Sequence, residues 1–167
     1  MNVALLRAVN VAGHQPVSMA ELRAFFEDLK FTHVKTLLNS GNIVFDGTAT
    51  EEMLEREAEK RLGLATDFIV RNASEWQKIV ERNPFAREAK DDPARLVVFP
   101  MKAAAKEFDW PGPEIVRVDG TNAYIYYPEG QGRSKLTTAV LDKRLGTRGT
   151  ARNWNTAMKI AAALTAR

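Results

Sequence analysis

From Asn2 to Arg71 the chain alternates β-rich runs with two capped amphipathic segments, in an order that leaves few topologies open. Asn2 to Arg7 is an apolar run of strand length. Ser18 with Glu21 three residues later is a capping box that opens a helix over Met19 to Leu29. His33 to Leu38 and Asn42 to Asp46 flank Asn39-Ser40-Gly41, a polar turn with the glycine that a tight hairpin needs for a positive φ. Thr50, the segment Met53 to Leu62 and the closing Gly63 make a second helix, and Asp67 to Arg71 reads as a strand. The order β-α-β-β-α-β is the split β-α-β arrangement, whose two crossovers put both helices on one face of a four-stranded sheet.

The second half repeats much of this order. Asn72 is a candidate N-cap for a helix carrying Trp76, Ile79 and Val80, which Asn83-Pro84 ends, so residues 72–93 read as a linking helix and loop. Arg95 to Phe99 reads as a strand, Lys102 to Phe108 as a short helix, and Glu114 to Val118 with Ala123 to Tyr127 as a hairpin around Asp119-Gly120-Thr121-Asn122. Ser134 is the expected cap of a helix ending at Gly146, and a further helix from Thr150 to Leu164 stands where a last strand would complete the pattern. The expectation is an α/β chain of the α+β kind: two ferredoxin-like β-α-β-β-α units in tandem, 1–71 and 94–167, the second ending in an extra C-terminal helix. The duplication lies in element order, not in residue identity.

The chain is 167 residues long, 45% hydrophobic and 27% charged, which is ordinary globular material. It contains no cysteine, which excludes a disulfide framework, a thiolate metal site and a cysteine nucleophile. Arg7 interrupts the N-terminal apolar run early, and no stretch approaches the length of a membrane span, so a cytoplasmic protein with no membrane partner is expected. The formal charge is +3, unevenly spread: residues 131–167 hold eight Lys or Arg against Asp142, or +7, leaving −4 for the rest. That asymmetry fits either an anion-binding face or solvated helix surfaces.

Three segments carry a resemblance: Ala4-Leu5-Leu6-Arg7-Ala8-Val9-Asn10-Val11-Ala12-Gly13, Ser40-Gly41-Asn42-Ile43-Val44-Phe45, and Gly149-Thr150-Ala151-Arg152-Asn153-Trp154-Asn155-Thr156. With the helix start Met19-Ala20-Glu21-Leu22, they resemble the bacterial family known as domain of unknown function 1697. That family usually has glycine where this chain has Ala8, and often a glycine pair where it has Ala12-Gly13. The resemblance implies a two-part α/β fold with ferredoxin-like halves and no particular reaction.

The residues themselves point to three polar segments. Thr150 reads as the N-cap of the C-terminal helix, and Arg152 and Asn153 beside the first-turn N–H groups could hold a phosphate or carboxylate. The loop from Arg7 to Gln15 leaves the carboxyl end of a strand, where open sheets often bind ligands, and offers Asn10, Gly13 and His14. Asn39, Ser40 and Asn42 flank the hairpin and matter for binding only if the topology brings them to the others. Neither a dinucleotide fingerprint nor a phosphate loop is present, and no cofactor is expected. His14 and His33 belong to no metal-ligand spacing, and no serine elbow occurs. Glu51, Glu52, Glu55 and Glu59 read as solvated charge, while Tyr124 and Tyr126 share one face of a strand, as a base-stacking platform would require. Three functions follow. The first is a binding protein for a small anionic ligand or a nucleic-acid segment, through Arg7, Asn10, Arg152 and Asn153. The second is an enzyme acting by positioning and charge. The third is an interaction module using a sheet edge or the Leu136, Val140, Leu141 stripe.

Overall fold

The structure, a computed structural model, describes residues 1–7, 17–38 and 41–166. Residues 1–77 with 159–167 form one compact unit and residues 78–158 a second.

In the first unit, β1 (Asn2–Leu6), α1 (Met19–Asp28), β2 (Thr32–Leu37), β3 (Asn42–Asp46), α2 (Glu51–Leu62) and β4 (Phe68–Asn72) follow one another. Every strand pair is antiparallel and the sheet order is β2-β3-β1-β4. Ser18 accepts the Glu21 N–H at 3.0 Å and Thr50 that of Met53 at 3.2 Å, so both helices start where a side-chain oxygen replaces the missing turn. Phe25 and Phe26 of α1 join Leu54 and Ala58 of α2 in one buried cluster with Leu6 and Phe45, which places both helices on the same sheet face. The Phe26 and Phe45 rings lie 5.0 Å apart, close enough for aromatic packing to fix the height of α1 above the sheet. Val3 and Leu5, which alternate to the opposite face, are also buried.

Strand β4 lies at a sheet edge, and its outward N–H groups would be open to another strand. Three carboxylates close them. Glu55 accepts from Phe68, Glu51 from Val70 and Glu75 from Asn72, each at 2.8 Å. The solvated role expected of Glu51 and Glu55 is thereby corrected: spaced four apart on α2, they reach alternate residues of the strand beside it.

Helix α3 (Ala73–Glu81) opens on Asn72, whose Oδ1 accepts the Glu75 N–H at 2.8 Å while Glu75 returns the contact, a reciprocal capping box. The second unit takes up the chain at Lys78 and holds α4 (Ala86–Asp91), β5 (Leu96–Pro100), β6 (Ile115–Asp119), β7 (Asn122–Tyr126), α5 (Thr138–Leu145) and β8 (Arg152–Asn153). Helix α6 (Trp154–Thr165) begins in this unit and ends in the first. The sheet order is β6-β7-β5-β8, again antiparallel throughout. Val97, Phe99 and Ile125 pack with Leu136, Leu141 and Leu145. Leu136 and Leu141 are therefore core, and the stripe considered as an interaction surface is not one.

Three local expectations change here. Lys102 to Phe108 is not a helix, because its backbone is tied to distant partners: the Lys102 N–H donates to Arg148 O, Ala103 to Thr147 Oγ1 and Ala105 to Gly120 O. Helix α5 is capped by Thr137 rather than Ser134. The segment read as the first turn of the C-terminal helix is the short strand β8, paired with β5 through Val97 with Asn153 and Val98 with Arg152, so a fourth strand is present after all. The result is an α+β fold of two four-stranded antiparallel sheets with the same relative strand order, the second lacking a helix between its first two strands. Among the described residues no helix is long and apolar enough to cross a membrane.

Candidate functional site

The residues singled out in the sequence divide between the two units. Arg7, at the end of β1, pairs through NH1 with Asp67 Oδ2 at 3.2 Å, and its carbonyl accepts the Thr66 hydroxyl. Asn42 is buried and donates from Nδ2 to Leu37 O at 2.9 Å, closing the hairpin at its base. The Leu6 N–H donates to Gly41 O at 3.0 Å, so the end of β1 and the hairpin turn do lie side by side. Asn10, Gly13, Asn39 and Ser40 lie outside the described residues, as does His14.

In the second unit, buried Arg152 donates from NH1 to Thr150 Oγ1 and to Ala151 O, both at 2.8 Å. Burial pulls its guanidinium down to about 10. Asn153 accepts the Thr156 N–H at 2.9 Å and thus caps α6, the role the sequence suggested for Thr150.

A different group of side chains frames a cleft in this unit. The sheet register sets Arg117 of β6 opposite Tyr124 of β7, Tyr124 opposite Val98 of β5, and Val98 opposite Arg152 of β8, so these four residues form one row across the sheet. At the β6 end of that row, Arg82, Pro84, Glu107, Arg117, Asp119 and Tyr124 line a cleft of about 470 Å³. Arg82 NH1 stands 3.6 Å from Asp119 Oδ2, with both side chains well exposed. Arg117 donates from NH1 to Val116 O at 2.9 Å, and Glu107 Oε1 accepts the Val118 N–H at 3.1 Å.

Tyr124 forms the buried wall. It is 1% exposed and donates from its hydroxyl to Ile79 O at 2.6 Å. Burial pushes the phenol up to about 12, with Asp119 adding to the shift and Arg82 opposing it. The hydroxyl stays protonated at neutral pH and does not act as a base. Its burial also removes Tyr124 from any stacking platform; Tyr126 is held by its own hydrogen bond to Asp92 Oδ2 at 2.8 Å. Apart from Tyr124, the cleft residues carry one signal in the sequence: in Ile115-Val116-Arg117-Val118-Asp119, period-2 alternation puts Arg117 and Asp119 on one face. Nothing comparable marks Arg82.

Two antiparallel four-stranded sheets, with the helices and strand order given above, define an α+β protein of two compact units. The chain belongs to the family described as protein of unknown function (DUF1697), whose match spans residues 1–124. It is similar in fold to the conserved bacterial protein SP0830 from Streptococcus pneumoniae, with 22% sequence identity, a TM-score of 0.69 and 98% of each chain covered. No curated protein matches it.

Proposed function

We propose that the chain is a cytoplasmic binding protein for a small anionic ligand, and that the cleft of the second unit is its binding site. The observation that supports this reading is the presence of two guanidinium groups, Arg82 and Arg117, on the lining of one cleft of about 470 Å³. A guanidinium carries five N–H donors in a planar fork that suits phosphate or carboxylate oxygens, and Arg117 directs one of its nitrogens to Val116 O. Glu107 and Asp119 balance the two positive charges, which favours a ligand that brings hydroxyl or amino donors with its anionic group over a bare polyanion. Nucleic acid is the less favoured partner, because Tyr124 is buried and offers no ring for a base to stack on.

The test is a thermal-shift screen with inorganic phosphate, sugar phosphates, nucleotides, amino acids and short RNA, run on the wild type and on Arg117→Ala. A ligand at a hundredfold excess over its dissociation constant adds about 2.7 kcal/mol, or roughly 5–10 °C for a chain of this size. Arg117→Ala is expected to abolish that shift while leaving the unliganded melting temperature within about 2 °C. A shift that survives the substitution refutes the assignment to this cleft, and an unresponsive panel refutes the reading as a small-anion binder.

A further inference from the structure

A second cavity, in the first unit, carries a feature that a packing role does not require. It measures about 460 Å³ and is lined by Met1, His33, Asp46 and Ala166. His33 sits in β2 with φ +52°, in the left-handed region that a non-glycine residue adopts only under backbone strain. The β2–β3 register shifts between Thr32 and Lys35, so this strained residue lies within a β-bulge, a device that turns a side chain away from its regular direction. The side chain so turned places Nδ1 2.9 Å from Asp46 Oδ2, while Asp46 Oδ1 lies 3.3 Å from the α-amino group of Met1. The hydrogen bond from that amino group, helped by His33 and opposed by desolvation, holds the Asp46 carboxyl below its ordinary range. The Asp46 carboxylate accepts, so His33 Nδ1 donates, and the tautomer this selects has its lone pair on Nε2. The imidazole is 76% exposed and within reach of a ligand.

We infer that this cavity is a small-molecule site, distinct from the cleft of the second unit, that takes an uncharged ligand with an apolar body and one hydroxyl group, the hydroxyl donating to His33 Nε2. Three features coincide on His33: a left-handed backbone, a bulge that redirects the side chain, and a carboxylate that fixes its tautomer on the wall of a cavity. The lining is predominantly apolar, and the volume falls in the range of small-molecule pockets. The Met1 ammonium and the Asp46 carboxylate balance each other, so the site has no net attraction for an anion, which separates it from the arginine-lined cleft in the ligands it selects.

The experiment is a ligand-observed NMR titration with p-cresol, with 4-methylanisole as the analogue lacking the donor and with p-toluate as the anionic analogue. Wild-type protein is expected to bind p-cresol at millimolar concentration or better, and each analogue about tenfold or more weakly. His33→Asn, whose side chain tolerates a left-handed backbone, is expected to weaken p-cresol about tenfold and erase the preference over 4-methylanisole. His33→Gly relieves the backbone altogether and serves as the second variant should asparagine disturb the strand. Equal binding of p-cresol and 4-methylanisole overturns the inference. So do tighter binding of p-toluate, unchanged p-cresol affinity in a folded His33 variant, and no binding of p-cresol up to about 10 mM.

Discussion

The row of carboxylates along β4 makes a quantitative prediction about how this edge is kept from pairing. Glu55→Ala removes one charge-assisted hydrogen bond, the 2.8 Å contact to the Phe68 N–H. Such bonds contribute about 1.5–3 kcal/mol when buried; this one is partly buried and its donor can be rehydrated, so the expected cost is about 1–1.5 kcal/mol. Glu51→Ala removes the equivalent contact to the Val70 N–H and also takes away the carboxylate 3.9 Å from Arg71 NH1. Arg71 is buried, which pulls its guanidinium below the ordinary arginine range, and Glu51 is the larger of two carboxylate influences that oppose this. Weakening the compensation of a buried charge raises the expected cost to about 2–3 kcal/mol. Glu51→Gln keeps an oxygen for Val70 but removes the charge, and should fall at about 1 kcal/mol, so the expected order of damage is E51A, then E55A and E51Q together. Urea unfolding followed by far-ultraviolet circular dichroism reads these differences, and size-exclusion chromatography of the E51A/E55A double variant should show concentration-dependent association through the uncovered edge. An E51A variant within about 0.5 kcal/mol of wild type, or E51Q as costly as E51A, refutes the account of these carboxylates as edge caps.

Two further outcomes follow from particular side chains. Lys30 holds φ +72° just past α1, where its N–H donates to Glu27 O and that of Phe31 to Phe26 O, a helix ending that glycine adopts more easily. Lys30→Gly is therefore expected to stabilise by about 0.5–1 kcal/mol in the same urea assay, and a loss of stability would refute the reading of that ending as strained. All three tyrosines titrate above the ordinary phenol range: Tyr124 at about 12 through burial, Tyr127 upward through burial, and Tyr126 upward chiefly through its hydrogen bond to Asp92. Because the folded state keeps these protons longer than the unfolded state, whose phenols titrate near 10, their contribution is intact below about pH 10 and is lost as pH rises through about 12. Alkaline absorbance titration should show tyrosine ionisation coinciding with loss of circular dichroism; a tyrosine titrating reversibly near 10 in folded protein would contradict it.

Much of the first unit was legible because its local signals and its tertiary structure agree. Ser18, Thr50 and Gly63 mark helix ends that the backbone adopts, and the alternation in Asn42 to Asp46 matches a strand that pairs on both sides. The second unit was less legible for an identifiable reason. Lys102-Ala103-Ala104-Ala105-Lys106 is strong helix-forming sequence, yet the N–H groups of Lys102, Ala103 and Ala105 have acceptors in Arg148, Thr147 and Gly120, more than a dozen residues away. Helix propensity amounts to tenths of a kcal/mol per residue and a short isolated helix is unstable, so distant backbone partners decide the outcome. At the other end, Thr150 and Asn153 are both acceptable caps. Pairing of Arg152 and Asn153 with β5 chooses between them, and that pairing is invisible in a local window.

The same physics separates the polar residues at element ends from those that line the cleft. Arg7, Asn42, Arg152 and Asn153 are polar residues at element ends, where backbone groups lack partners. The structure uses them to supply such partners: Asn42 serves the hairpin carbonyl, Asn153 the first turn of α6, and Arg152 the Ala151 carbonyl. Arg117 differs because it projects from the middle of an edge strand. It also covers an open backbone group, the Val116 carbonyl, but through one nitrogen of a guanidinium that stands on the lining of a cleft. A capping asparagine offers one short amide, whereas a capping arginine in a cleft keeps further donors for a second acceptor. Polar residues at element ends are thus weak evidence for a binding site in a fold of this kind, and a cation midway along an exposed edge, with a carboxylate two residues away on the same face, is the stronger sign.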